Sequence, residues 1–150
     1  ADVRQAGQAI LDTLELSEDQ RLKPRIISDQ VVRHLDDHQC MLINRMRHGN
    51  LILAGQTLFV LEVEPAGYAA LAANEAEKAA NINILEVRAV GAFGRVYIGG
   101  EEKDVEVARP AAIAALEAIN GRAQKKYAQA QIDSHKESDR RKKTWQTHWE

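Results

Sequence analysis

The sequence predicts an α/β sandwich in which helices cover one face of a small, mostly antiparallel sheet. Three patterns lead to this prediction. Leu61 and Val63 alternate with Glu62 and Glu64, which is the period of a half-buried strand. Small and apolar residues then recur at helical spacing over residues 66–81. Two further strand-like runs follow, joined by a glycine-containing turn, and a second helical stretch comes after them.

The N-terminal part of the chain predicts a short helix over residues 3–16. Ile10, Leu11 and Leu14 fall on one face of this helix, and the polar connector SEDQRLKPR follows it. We interpret residues 1–38 as an N-terminal extension of the α/β domain.

The sheet is predicted to begin shortly after that extension. The run QCMLINRMR, residues 39–47, has the composition of a strand, and residues 49–64 supply one or two more. INILEVRAV, residues 82–90, is the next predicted strand. GRVYIGG, residues 94–100, is expected to pair with it through the GAFG turn.

The alanine-rich stretch AGYAALAANEAEKAAN predicts the first helix of the domain, because alanine has the highest helix propensity. One face of this helix repeats at spacings of three and four residues, at Tyr68, Leu71, Ala72, Glu75 and Ala79.

A second helix is predicted over residues 104–120, with Asp104 as its N-terminal cap and Asn120-Gly121 as its stop signal. Pro110 lies inside this stretch and removes one helical hydrogen bond. The alternative is a helix that begins at Pro110 itself, with DVEV extended before it.

The distribution of apolar residues predicts the domain boundaries. Residues 39–120 carry nearly all the regular apolar pattern and form the predicted α/β domain. Residues 121–150 contain few apolar side chains and many charges, so they cannot bury a core of their own. We expect them to form a helical or disordered tail.

The composition excludes several classes of protein. The net charge of -2 gives no overall field that would concentrate nucleic acid or an anionic membrane. The single cysteine, Cys40, rules out an internal disulfide framework and is typical of a reducing cytosol. No apolar run approaches the roughly 18 residues of a membrane span. We therefore expect a soluble intracellular chain.

The GAFG turn, residues 91–94, permits several interpretations. KH domains clamp a nucleic-acid backbone with a GxxG loop, but that loop joins two helices and this one joins two strands. A phosphate-binding loop needs glycines that open a helix, usually with Lys-Ser or Lys-Thr, and neither is present. A plain hairpin turn, whose glycines adopt positive φ, explains the residues without a function.

The stretch RHLDDHQC contains the residues that best suit a metal ion. On a helix His34 and His38 would share one face, with Cys40 or a carboxylate as a third ligand. The alternative is a polar connector in which Cys40 is a small apolar filler, and no metal or cofactor is expected on that interpretation. We find no nucleophile elbow, catalytic triad or cofactor motif, so the sequence does not predict an enzyme.

The end of the tail, RRKKTWQTHW, predicts a docking segment for a partner. Trp145 and Trp149 lie four residues apart, so they share a face if the segment is helical. Tryptophans beside basic residues suit burial in a groove of a protein partner. A membrane surface or RNA could also attract this segment, and a solvated, disordered terminus without a partner is the remaining alternative. The basic residues of this segment are Arg140, Arg141, Lys142 and Lys143.

Residues 58–119 resemble the shell-protein domain of bacterial microcompartments, the BMC domain. The resemblance rests on four motifs in order: LFVLEVE, ANEAEKAANINILEV, VGAFGRVYIGG and KDVEVARPAAIAALEAI. They cover somewhat under half of the chain. Each motif is weak alone, but their order and spacing together are fairly specific.

The resemblance implies flat cyclic hexamers, or pseudohexamers, that tile into a protein sheet with other shell proteins. The loop between the second and third strands, here Gly91, Ala92, Phe93 and Gly94, would then line a pore on the symmetry axis. Glycine fits this position because six copies of one backbone must converge there. Phe93 departs from the small residues usual in the family, and six phenylalanines would narrow or dewet the pore.

Two further features follow from the resemblance. Lys78 matches a lysine that lies at hexamer edges in the family, although a lysine at a helix C-terminus also complements the helix dipole without any partner. The family places a strand after its second helix, whereas here only the charged tail follows Ile119. We predict a circularly permuted member, with residues 39–47 as the moved strand.

The predicted function is therefore structural: a non-catalytic shell subunit in a bacterial microcompartment of the cytoplasm. One alternative is a small α/β binding module that docks within a larger complex through its two terminal arms. Another is a metal-dependent enzyme centred on His34, His38 and Cys40.

Overall fold

A computed structural model describes residues 2–123. Within this range, one antiparallel sheet lies between helices, and a short 3-10 turn, Glu18–Gln20, precedes the first strand. The helices and strands, in chain order, are α1 (Asp2–Thr13), β1 (Arg25–Val32), α2 (Asp37–Met46), β2 (Thr57–Glu64), α3 (Tyr68–Ala79), β3 (Asn83–Arg88), β4 (Gly94–Gly100) and α4 (Glu102–Glu117).

The sheet has the strand order β1-β2-β4-β3, and each neighbouring pair is antiparallel. One row of paired residues crosses all four strands: Val31 opposite Phe59, Phe59 opposite Ile98, and Ile98 opposite Ile84. All four side chains contribute to the core beneath α3 and α4. The predicted α/β fold with a small antiparallel sheet is confirmed.

The two faces of the sheet bury different cores. Phe59, Leu61 and Val63 point to the face covered by α3 and α4, where small alanines of both helices permit close packing. Leu58 lies on the opposite face, in a smaller cluster that also holds Cys40 of α2. The sheet is thus covered fully on one face and only partly on the other.

The predicted strand at residues 39–47 is wrong, because the structure forms helix α2 there. Asp36 is its N-cap, and the Asp36 side chain accepts a hydrogen bond from the backbone N–H of His38 at 2.9 Å. Cys40 and Ile43 face the small core from successive turns of α2. The apolar run from 40 to 43 is compatible with a strand or a helix, and the N-cap at Asp36 favours the helix.

The strand that was predicted on the N-terminal side of β2 is instead β1, which lies inside the predicted N-terminal extension. It pairs with β2 from Arg25 opposite Glu64 to Val32 opposite Leu58. The register shifts between Ile26 and Ser28, and this irregularity interrupts the strict alternation that marks a strand. Residues 25–38 therefore belong to the folded domain, not to an extension.

Ion pairs connect β1 and the residue after it to α4. Arg109 donates two hydrogen bonds to the Asp29 carboxylate, at 2.8 and 2.6 Å, and Arg33 pairs with Glu102. The Asp29 carboxylate raises the pKa of the Arg109 guanidinium, first through its hydrogen bond and then through its charge. These pairs are partly exposed, so they orient the edge strand more than they stabilise it.

Helix α4 is one continuous helix with Pro110 inside it, so the alternative that begins at Pro110 is wrong. Its N-cap is Glu101, and Asp104 lies in the first turn instead of capping the helix. An acidic residue in the first turn still complements the helix dipole.

The chain that leaves α4 returns to the segment before β1. Leu22 and Arg122 form an isolated parallel bridge, in which the Lys23 N–H donates to the Arg122 carbonyl at 2.9 Å. Gly121 is required here, because a Cβ at this position would lie 2.5 Å from the Arg21 carbonyl oxygen. Residues 21–23 and 121–123 are therefore held side by side.

Candidate functional site

The β3–β4 loop is the main candidate site, and it projects from the end of the sheet. Strand pairing ends at Arg88 opposite Arg95, and residues 89–93 form the turn between them. Val90 is 83% exposed and Phe93 is 40% exposed. Two apolar side chains therefore stand at the tip of the loop without full burial in this chain.

The two glycines of GAFG have different physical roles. Gly91 has φ +99, a conformation that L side chains rarely adopt, and it lies in open space. Gly94 is buried and is the first residue of β4, not part of the turn. A Cβ at Gly94 would lie 2.8 Å from the Ala69 Cβ and closer still to the Ala66 carbonyl oxygen. Gly94 thus lets β4 approach the start of α3.

Charged residues at the base of the loop neutralise one another. Arg95 pairs with Glu62 on the neighbouring strand, and Arg88 pairs with Glu86 at 2.5 Å. The hydrogen bond from Arg95 to Glu62 is the main reason that the pKa of Arg95 is raised. His48 lies 3.5 Å from Glu86. The base of the loop is therefore a set of ion pairs with little net charge.

Lys78 lies in the last turn of α3 and is exposed to solvent. Its Nζ contacts the Glu75 carboxylate at 2.7 Å, one helical turn earlier. The hydrogen bond from Lys78 is the largest cause of the lowered pKa of Glu75. Such an exposed pair contributes little to stability, so Lys78 is free to exchange Glu75 for a group on another molecule.

The structure does not gather the residues of the metal hypothesis. His34 has φ +52 and precedes α2, so it does not share a helix face with His38. Cys40 is buried against the small core, and burial is the first cause of its raised pKa, followed by Asp37 and Asp36. Over residues 2–123 no group of three or more His, Cys, Asp or Glu side chains is placed to hold a metal ion.

Two other expectations concern a membrane span and the tail. None of the helices between residues 2 and 123 is both long and apolar enough to cross a lipid bilayer.

The predicted docking residues lie outside the described part of the chain; they are Arg140, Arg141, Lys142, Lys143, Trp145 and Trp149.

Several relatives resemble this domain closely, although no family model matches the chain. The carboxysome shell protein CcmP of Synechococcus elongatus is 60% identical over 121 residues, which span 81% of this chain and 57% of CcmP. The carboxysome shell protein CsoS1D of Hydrogenovibrio crunogenus is 45% identical over 123 residues, which span 81% of this chain and 60% of CsoS1D. The chain belongs to the bacterial microcompartment shell proteins.

Solved structures agree with this membership. The double-ringed trimeric shell protein of the RMM microcompartment superimposes with a TM-score of 0.78 at 40% identity, over 81% of this chain and 60% of that one. The fused permuted hexameric shell protein of the same microcompartment gives 0.69 at 46% identity, over 72% and 55%. A flat CutR hexamer shares the fold at 17% identity, with a TM-score of 0.53 over 78% of this chain and 96% of that one.

Two statements about this shell domain follow. It spans 57% of the length of CcmP and 60% of CsoS1D, so the larger part of each relative, but not all of it, has a counterpart here. Its strand order is the permuted one, because β1 precedes β2 and pairs with it, and no strand follows α4 within residues 2–123. The permutation was predicted, but its moved strand is Arg25–Val32.

Proposed function

We propose that this chain is a non-catalytic subunit of a microcompartment shell, and that six BMC domains of this kind close into a ring that tiles with other shell proteins. The observation that carries the proposal is the match of the described domain to a shell subunit at a TM-score of 0.78 and 40% identity. We place the protein at the shell of a cytoplasmic microcompartment.

The β3–β4 loop, with Gly91, Ala92 and Phe93, would line the ring's axis. Its support is geometric: the loop projects beyond the sheet, Gly91 permits a tight turn, and Val90 and Phe93 are exposed in the single chain. Six phenylalanines around one axis would narrow the opening and repel water. The paired charges at its base add no strong field for attracting ions.

The ring is tested by native mass spectrometry of the full chain. We expect a principal species near six times the 16.7 kDa of one chain, because a cyclic arrangement satisfies every subunit edge. A monomer or dimer across micromolar concentrations would contradict the ring. The alternative, a binding module within a larger complex, would then be favoured.

Lys78→Asp is expected to abolish the tiling of rings while the ring itself persists. Lys78 is exposed at the end of α3, and its known partner is on its own helix, so its loss leaves the core intact. The substitution reverses the charge at this position and removes the ammonium donor through which Lys78 would contact a neighbouring ring. Electron microscopy of assembled sheets measures the first effect and native mass spectrometry the second.

The matched control is Lys103→Asp, which makes the same charge change at an exposed position in the first turn of α4. Sheets should form normally with this variant. Normal sheets with Lys78→Asp would show that Lys78 does not lie at a tiling edge.

A further inference from the structure

Strand β3 contains one residue more than the part of β4 that pairs with it. Ile84 lies opposite Ile98 on β4. The next paired residue of β4 is Tyr97, which lies opposite Glu86, so Leu85 has no partner on that strand. An extra residue of this kind is a β-bulge, and it changes the face of the sheet to which the following side chains point.

The bulge places two consecutive side chains on the face covered by α2. Leu85 is fully buried there, in the same small core as Cys40. Glu86 points to the same face as Tyr97, because the two residues lie opposite each other, and Tyr97 packs against that small core. In a regular strand the neighbours Leu85 and Glu86 would point to opposite faces.

Residues 47–50, which follow α2, are hydrogen-bonded to this bulge, and we call them the 47–50 segment. The Gly49 N–H donates to the Leu85 carbonyl at 2.7 Å. The Asn50 N–H donates to the Ile84 carbonyl at 2.9 Å. Two consecutive carbonyls at the bulge therefore accept hydrogen bonds from the segment.

This contact depends on the glycine at position 49. A Cβ on Gly49 would lie 2.7 Å from the Leu85 carbonyl oxygen and closer still to that of Ile84. Both neighbours are backbone atoms, which cannot move aside as a flexible side chain can. A methyl group at position 49 would therefore push the segment away from β3 and break both hydrogen bonds.

The other side of the segment is held by α2 and by the chain that leads to β2. The Asn44 amide donates to the Ile52 carbonyl at 2.8 Å and accepts from the Ile52 N–H at 3.0 Å. Arg47 donates to the Asn44 side-chain oxygen at 3.2 Å and also to the Gly49 carbonyl. Ile52 is fully buried. These contacts fix the segment without any contribution from β3.

A side-chain contact joins the segment to the base of the β3–β4 loop. His48 lies 3.5 Å from the Glu86 carboxylate, which also accepts a hydrogen bond from Arg88 at 2.5 Å. Glu86 reaches His48 because the bulge turns its side chain toward α2. In an unbulged strand Glu86 would point to the other face and would lose this contact.

We propose that the 47–50 segment holds β3 in its bulged register and so sets the length of the β3–β4 loop. In this register Arg88 lies opposite Arg95, and residues 89–94 lie between them. Without the bulge Arg88 would lie opposite Gly94, and the loop would be one residue shorter. The consequence for a pore rests on the proposed function: if the loop lines a ring axis, its length sets how far Phe93 reaches toward that axis.

Intramolecular disulfide formation distinguishes the two registers in the full chain. Arg88→Cys/Arg95→Cys reports the bulged register, because these residues lie opposite each other. Val87→Cys/Arg95→Cys reports the unbulged register, since Val87 and Arg95 point to opposite faces in the bulged one. Cys40 is buried in both variants. Under mild oxidation the first pair should close at least about tenfold faster than the second, because a disulfide requires facing Cβ atoms. A smaller ratio would overturn the bulged register and the proposal with it.

Gly49→Ala, added to both cysteine pairs, tests the segment itself. The ratio of the two closure rates should fall at least about fivefold, because β3 is no longer held in one register. Gly67→Ala is the matched control, since nothing lies within 4 Å of a Cβ there, and it should leave the ratio unchanged. A fall of less than about fivefold with Gly49→Ala overturns the proposal.

Arg47→Ala is the second variant, and it decides the question if Gly49→Ala does not fold. It removes the hydrogen bonds to Asn44 and to the Gly49 carbonyl but leaves the buried core unchanged. The ratio should fall at least about threefold, and a smaller fall contradicts the role of the segment. Native mass spectrometry of the unoxidised samples reports the ring separately, so failure of this proposal and failure of the ring are distinguished.

Discussion

Gly94→Ala is expected to destabilise the domain by about 3 kcal/mol, because a methyl group there has no room and its neighbour is backbone. Its Cβ would meet the Ala69 Cβ at 2.8 Å and press on the Ala66 carbonyl oxygen. Either β4 or the start of α3 must move, and both contribute to the main core. Urea unfolding followed by circular dichroism measures the loss.

Two other glycines separate this effect from the general cost of replacing glycine. Gly67→Ala should be neutral or slightly stabilising, since nothing lies within 4 Å and its φ is -57. Gly91→Ala should cost about 1–2 kcal/mol through its positive φ alone. If Gly94→Ala unfolds at the same urea concentration as Gly67→Ala, the close approach of β4 to α3 is wrong.

Phe59→Ala is expected to cost about 3–5 kcal/mol, the range for removing a buried aromatic side chain. Phe59 is fully buried and stands in the row that runs from Val31 on β1 to Ile98 on β4. A cavity here would loosen the contact between the edge strand β1 and the rest of the sheet. The midpoint of urea unfolding and the thermal midpoint should both fall.

Val90→Ala is the comparison for Phe59→Ala, because Val90 is apolar and largely exposed. Its effect on the free energy of unfolding should lie within about 0.5 kcal/mol, as for other surface changes. Equal effects of the two substitutions would contradict the position of Phe59 at the centre of the core.

The sequence predicts those elements in which composition and period agree. The alanines of α3 favour helix and also supply its packing face, and the alternation of Leu61 and Val63 with acidic residues marks β2. β3 and β4 follow from short apolar runs on either side of a glycine turn. In each case the local preference and the tertiary contact point the same way.

Other elements escape sequence analysis for identifiable reasons. The apolar run at residues 40–43 has no clear period. Only the N-cap residue Asp36 indicates that this run lies within a helix. The register shift between Ile26 and Ser28 interrupts the alternation of apolar and polar residues in β1, so the sequence pattern does not mark a strand there.

The candidate site was predictable only in part. The β3–β4 loop and Lys78 were found through the resemblance to the shell family, and their roles remain proposals. The separate roles of Gly91 and Gly94 depend on φ and on the position of α3, which no local pattern encodes. Ile10, Leu11 and Leu14 were predicted to share one face of α1, but the sequence does not show that no residue of α1 is buried in the described domain.

The bridge between Leu22 and Arg122 explains how two chains can form the same fold with their strands and helices in a different order along the sequence. Residues 21–23 and 121–123 touch, so a peptide link across this bridge would close the domain into a loop without displacing any strand. Opening that loop in the exposed segment between α2 and β2 would put β1 and α2 at the end of the chain. One new peptide link across the bridge and one break between α2 and β2 would thus convert this chain into the unpermuted order, in which a strand follows the second helix of the family.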